Sequence, residues 1–144
     1  MLLDAQLQFS AAQAITADAA STNSIDLGAV RQIAIGQPLV VLICVIVAAD
    51  ATTGDETYSF EIQTDDNSSF SSATTLSDTD IPRAQLTLGS IHTIPVPRAG
   101  MERYLRLNYD VGGTTPTITV SAWLQPADMV QGAYTQYADA MTIS

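Results

Sequence analysis

The sequence predicts an all-β domain. Apolar and polar residues alternate over Tyr58–Gln63, Arg103–Val111 and Thr117–Leu124, the period of a strand with one face buried and one exposed. Clusters of Gly, Pro and Asp punctuate these runs, as turns between strands require. No long run carries convincing helical spacing, Ala5–Ala20 being the one stretch where a helix is an option. A sandwich or a barrel satisfies this pattern.

Taken in chain order, Leu2–Asn23 is rich in Ala, Gln, Ser and Thr, with weak apolar spacing. Ile25-Asp26-Leu27 alternates briefly and stops at Gly28. Pro38–Ala49 is dominated by Val, Ile and Leu, which favour strands, and reads as a fully buried strand. Asp50–Asp55 carries the Asp and Gly of a turn. Tyr58, Phe60 and Ile62 then alternate with Ser59, Glu61 and Gln63. Residues 64–80 read as a polar loop anchored by Phe70 and Leu76. Ile91–Val96 is a short strand bracketed by Pro95 and Pro97, which suit an edge or a strand end. Leu105, Leu107, Tyr109 and Val111 share one face, and Tyr104, Arg106, Asn108 and Asp110 the other. Gly112-Gly113 reads as a hairpin turn. Ile118, Val120, Ala122 and Leu124 point inward, with Thr117, Thr119, Ser121 and Trp123 outward. The chain thus divides into a β-domain over 1–125 and an extended C-terminal arm over 126–144.

Composition narrows the function. The 144 residues suffice for one domain, 47% are hydrophobic and only 14% charged. Fifteen acids face five Arg and no Lys, a formal charge of −10. Nucleic acid and anionic membranes both need clustered bases, so neither is expected as a partner. A single Cys and a single His exclude an internal disulfide and multi-Cys or His-rich metal sites. Met1-Leu2-Leu3-Asp4 has an acid where a secretory signal has positive charge. Pro38–Ala49 falls short of the roughly 20 residues that span a bilayer. The expected setting is a cytoplasm, or a larger particle assembled there.

The sequence holds no complete catalytic kit. A hydrolytic triad needs a base beside a nucleophile. The only base, His92, sits between Ile91 and Thr93, where a strand residue with a hydrogen-bonded ring is the plainer reading. Cys44 lies in the most apolar run and reads as a small hydrophobe. Asp65-Asp66, Asp55-Glu56, Asp78 and Asp80 read as solvated loop acids rather than a glycosidase pair. Asp65, Asp66 and Asn67 offer oxygens to calcium, but the Gly and closing Glu of an EF-hand loop are missing. No enzyme, cofactor or metal is therefore expected.

Charge layout is more informative. Eight acids and no base lie between Asp50 and Asp80, while Arg83, Arg98, Arg103 and Arg106 follow. Arg pairs bidentately with carboxylates at interfaces, and Lys is depleted there. Arg98, Arg103 and Arg106, with Tyr104 and Trp123, are the candidate interface residues of the domain. The arm adds Met129, Tyr134 and Tyr137, being too apolar for a purely solvated linker. It is expected to dock outside its own core, on a neighbouring subunit or a larger surface.

Several motifs carry a resemblance. Gln63-Thr64-Asp65-Asp66-Asn67 with Phe70-Ser71-Ser72, Ile94-Pro95-Val96-Pro97 and Arg103-Tyr104-Leu105-Arg106-Leu107-Asn108-Tyr109 resemble the capsid cement (decoration) proteins of certain tailed bacteriophages. The type example comes from a Bordetella-infecting short-tailed phage. Leu3-Asp4-Ala5, Gln8-Phe9-Ser10, Gln13-Ala14 and Ser24-Ile25-Asp26-Leu27-Gly28 are similar as well. The likeness covers roughly residues 1–124, and the arm is not part of it. It implies a jelly-roll β-sandwich on the outer capsid surface of a virion. That protein would self-associate as a homodimer or homotrimer and bridge neighbouring major capsid proteins non-covalently. The competing reading is a carbohydrate-binding β-sandwich that stacks Trp123, Tyr104 and Tyr109 on sugar rings.

Overall fold

The computed structural model describes residues 3–30, 33–34 and 36–127. These described residues form an antiparallel sandwich of nine strands: β1 Gln8–Ile15, β2 Ala19–Ala20, β3 Ile25–Asp26, β4 Leu39–Val47, β5 Thr57–Asp65, β6 Thr74–Asp80, β7 Ile91–Pro95, β8 Tyr104–Gly112 and β9 Ile118–Pro126. One sheet has the order β1-β9-β4-β7. In the other, β8 is flanked by β5 and then β6 on one side, and by the short β2 and β3 on the other. Counting β2 and β3 as one interrupted strand, only β5 and β6 are consecutive partners within a sheet. Every other connection crosses between sheets. This is the double Greek key of a jelly roll.

The inner faces follow the expected alternation. Val41, Ile43 and Val45, then Tyr58, Phe60 and Ile62, then Leu105, Leu107 and Tyr109, then Ile118, Val120 and Ala122 all enter one core. The Phe60 and Tyr109 rings meet edge to face at 5.8 Å. The Tyr109 hydroxyl is 2.6 Å from Ser10 Oγ on the opposite sheet. Ser10 itself donates to Gln13 Oε1, so the phenol is the donor to Ser10. Burial pushes the Tyr109 phenol up to about 12.

Four expectations are corrected. Ala5–Ala20 is not helical: a 3-10 turn, Ala5–Leu7, capped by the Asp4 carboxylate, leads into β1. Strand pairing with β9 buries Phe9 and Ile15, whereas a helix here has no apolar stripe to bury. Residues 74–80 are an edge strand and not loop; an edge outside the core tolerates a polar Thr/Ser/Asp sequence. Pro38–Ala49 is not buried throughout, because one side of β4 faces outward: Cys44 is half-buried and Ile46 and Val47 are exposed. Gly112-Gly113 does not close a hairpin; it carries the chain from β8 in one sheet to β9 in the other. The proline-bracketed β7 is an edge strand as expected.

Two loops are tied together beside that crossover. Asp55 accepts from Thr53 Oγ1 at 2.6 Å, from Thr114 N at 3.1 Å and from Thr114 Oγ1 at 2.9 Å. The Thr53 hydroxyl first, then the Thr114 amide and hydroxyl, hold its carboxyl down at about 2, against an ordinary 3.8. A carboxyl lowered on folding stabilises above its unfolded value and loses that contribution as pH falls through the folded one. Asp55 therefore adds stability above about pH 4 that disappears towards about pH 2. Asp55→Asn is expected to lower the urea midpoint at neutral pH and to flatten its acid dependence in that window. An unchanged acid slope would show that the carboxylate is not a stabilising acceptor.

Candidate functional site

The outer face of the sheet containing β8 carries the side chains that the sequence marked as polar. In register, Asp65 lies opposite Tyr104, Gln63 opposite Arg106, Glu61 opposite Asn108 and Ser59 opposite Asp110. Cross-strand neighbours on one face are close enough to bond. Arg106 Nε donates to Gln63 Oε1 at 2.9 Å, Gln63 Nε2 to Glu61 Oε2 at 3.1 Å, and Asn108 Nδ2 to the same Glu61 oxygen at 2.6 Å.

A second row crosses this one. The Arg106 guanidinium stacks over the Phe70 ring, 4.4 Å from its centroid. Phe70 meets Tyr104 edge-on at 6.5 Å, and Arg103 stands 5.1 Å over the Tyr104 ring. Arg103 also grips Asp26 with both ends of its fork, at 2.9 and 3.1 Å. That pair holds the Asp26 carboxyl below its ordinary value, chiefly through the Arg103 hydrogen bond. The row Arg106–Phe70–Tyr104–Arg103 is thus a cation–aromatic platform at one end of the sheet.

Local chemistry fixes the loop that delivers Phe70. Asp65 Oδ1 accepts from Asn67 N at 3.2 Å and Oδ2 from Ser72 N at 2.8 Å. Asn67 Oδ1 accepts from Ser69 N, and Asn67 O from Phe70 N. The Ser72 amide, before other contacts, keeps the Asp65 carboxyl below the usual range. Phe70 takes a left-handed φ of 52°, an unusual conformation for a bulky side chain, and its ring is buried against the platform. Asp65, Asp66 and Glu102 bring carboxylate oxygens within 4.8 Å of one another. The Asp65 oxygens in that group already accept backbone N–H bonds. Asn67, the third residue considered for calcium, uses its side chain on the loop itself.

The other end of the same face is acidic. Burial raises the Asp110 carboxyl, and Asp18, Glu61 and Asp78 push it further. Ser59 Oγ bonds Asp78 directly. Arg106 and Asp110 are four residues apart on β8, about 13 Å, but the charge separation of the sequence is not kept in space, because Asp26, Asp65, Asp66 and Glu102 lie at the Arg106 end.

The remaining candidates go elsewhere. Arg98 is exposed and lines a groove with Pro38, Val40 and Pro95 at the edge of the other sheet. Trp123 is half-buried on that sheet's outer face, against Val40 and Leu42. Arg83 lies 3.9 Å from buried Glu56 and supports the fold. Met129, Tyr134 and Tyr137 fall outside the described residues. His92 Nε2 is 3.0 Å from Ser90 Oγ and 3.1 Å from the Gln85 carbonyl. A carbonyl only accepts, so Nε2 carries the proton and Ser90 accepts as well. That nitrogen is not a base for Ser90. His92 is a strand residue with a hydrogen-bonded ring, as expected, and its partners lie in the turn that precedes β7. Gln63, Phe70 and Asp26 are the site residues missed from the sequence. All three lay within motifs noticed there, but only the β5–β8 and β3–β8 registers and the fold of the loop after β5 bring them to Arg106, Tyr104 and Arg103.

Strand order defines a jelly-roll sandwich, and the sheet containing β8 carries this cation–aromatic platform on its outer face. Within that class the chain belongs to the Bbp16 family, whose model matches residues 9–134. The family name points to a Bordetella phage protein, and the chain is accordingly a phage-family protein. No curated protein matches the sequence. No helix among the described residues is long and apolar enough to cross a membrane.

Proposed function

We propose that this protein is a non-enzymatic capsid cement, or decoration, protein of a tailed phage. It binds the outer capsid surface of the virion and bridges neighbouring major capsid proteins without covalent bonds. It also self-associates as a homodimer or homotrimer. The observation that carries the reading is the Bbp16 family match over most of the chain. The jelly-roll frame supports it, as does the motif resemblance to cement proteins. A ligand that binds only the expanded lattice stabilises that lattice by mass action, and many weak contacts per particle add up through multivalency. The sugar-stacking alternative is short of rings: Tyr109 is buried in the core, Trp123 packs on Val40 and Leu42, and Tyr104 is flanked by Phe70 and Arg103.

The direct test is co-sedimentation of the purified protein with expanded capsids that lack it, beside a glycan array. Saturable particle binding is expected; glycan binding without particle binding would replace this reading with the lectin one. Arg106 gives the site-level test. Arg106→Ala removes the cation over Phe70 and the bond to Gln63, and is expected to weaken decoration by about tenfold, roughly 1.4 kcal/mol. The salt dependence of binding should become shallower. Arg106→Lys should rescue only in part, since an ammonium lacks the planar fork. Wild-type decoration by Arg106→Ala would take the platform out of the interface.

A further inference from the structure

We infer that Arg106 is a preformed receptor for one carboxylate of the partner surface, an Asp or Glu side chain gripped by its two Nη groups. The inference rests on the decoration reading, so the partner is the major capsid protein. Arg106 is immobilised without being ion-paired. Its Nε is used on Gln63 Oε1 at 2.9 Å, and one face of its guanidinium lies over the Phe70 ring at 4.4 Å. Both supports are themselves anchored. The Gln63 amide donates to Glu61 and to Thr75 Oγ1, at 3.1 and 3.4 Å. Phe70 N donates to the Asn67 carbonyl at 3.0 Å, and its left-handed φ of 52° is a strained conformation that holds the ring beneath the cation.

The remaining N–H groups of Arg106, all on Nη1 and Nη2, bond nothing among the described residues. Neither nitrogen is a buried orphan, so both open to solvent. The other two platform and loop cations differ. Arg103 closes its fork on Asp26 at 2.9 and 3.1 Å, and Arg83 turns to Glu56, donating to its carbonyl at 3.3 Å. Arg106 alone of these three presents an unused pair of parallel donors on a side chain whose rotamer is already fixed. Such a pair matches the two oxygens of a carboxylate, and prior fixing removes the ordering cost that a free arginine meets on binding.

Charge narrows the partner. A formal charge of −10 repels a polyanion but not one carboxylate placed on a guanidinium. Of the acids at this end, Asp26 is matched by Arg103, and Asp65 is turned to the Asn67 and Ser72 amides. A second copy is the poorer fit. Turned over two-fold about the row Asn108–Glu61–Asp78, it brings Arg106 towards Asp110. The same turn sets Glu61 and Asp78 against their own counterparts, and like charges there repel.

The chain has no Lys, so Arg106→Lys puts its only side-chain amine at this site. On expanded capsids, a water-soluble carbodiimide should then join position 106 by a zero-length amide to an Asp or Glu of the major capsid protein, located by mass spectrometry. A second measurement keeps the native guanidinium and decides if Arg106→Lys fails to bind. The parent protein and Arg106→Ala are each bound to capsids whose carboxyls have been amidated with glycinamide. Amidation lifts the general repulsion of capsid acids for both, so the difference between their responses is the readout. The parent is expected to lose about tenfold relative to Arg106→Ala. Decoration that persists with no capsid link from position 106, links confined to this chain's own acids, or equal responses to amidation would each overturn the pairing and leave decoration standing. Absence of parent binding to untreated capsids would instead remove the decoration reading, and the pairing with it.

Discussion

Leu107→Ala is expected to lower the unfolding free energy by about 2–5 kcal/mol. Leu107 is fully buried on the inner face of β8, opposite Ile62 on β5 and between Leu105 and Tyr109 along its own strand. Truncation removes the transfer energy of three carbons and leaves a void that close-packed sheets cannot fill. The backbone survives: Leu107 N donates to Ser21 Oγ at 3.1 Å and its carbonyl accepts from Ser21 N at 2.8 Å. The loss is therefore one of packing, read as a fall in denaturant midpoint at constant slope. The melting temperature should drop by roughly 4–20 °C for a chain of this size. Leu88, 72% exposed, is the control, and Leu88→Ala should stay within about 0.5 kcal/mol of the parent. A Leu107→Ala loss no larger than the Leu88→Ala loss would mean the inner face of β8 is misassigned.

Leu107 was legible from the sequence because β8 keeps a strict period of two between two sharp breaks. β9 and the first half of β5 were legible for the same reason. β1 was not, and the cause is visible in its backbone. Its register against β9 slips between Gln8 and Ser10 and again between Ser10 and Gln13. Ala12 takes a left-handed φ of 45° there, with its N–H on Ser121 Oγ. A bulge breaks the alternation that a sequence reading relies on. β6 was hidden because an edge strand contributes little to the core, so Thr and Ser there look like loop. The platform was legible only by halves. Alternation placed Tyr104 and Arg106 on one polar face. Asp26 is 77 residues from Arg103 and Gln63 is 43 from Arg106, and no local pattern encodes pairing over such separations.

The Gly112-Gly113 turn shows the same limit and supplies the other large effect. Turn residues report a sharp change of direction, not which sheet the chain enters next. Here they carry the crossover from β8 to β9, and the crossover runs hard against the β4–β5 loop. A Cβ on Gly113 would lie 2.4 Å from the Asp55 carbonyl oxygen, 2.7 Å from its carbon and 2.8 Å from Glu56 Cα. All three are backbone atoms. They belong to a loop held by Asp55 on Thr114 and by Glu56, which accepts from Thr53 N and Gly54 N at 2.9 Å. Gly113 also has a φ of 92°, which strains any L side chain. Gly113→Ala is therefore expected to cost roughly 3 kcal/mol or more, combining backbone strain with overpacking. Two neighbours in kind separate these contributions. Gly89 has a φ of 79° with no atom within 4 Å of an added Cβ, so Gly89→Ala should show the conformational cost alone, about 1–2 kcal/mol. A Cβ on Gly112 meets only Thr57 Oγ1, at 2.6 Å, a side-chain atom that can rotate away. Gly112→Ala should therefore cost less than Gly113→Ala. Equal losses at Gly113 and Gly89 would show that the two loops do not press on one another and that the crossover is looser than its geometry implies.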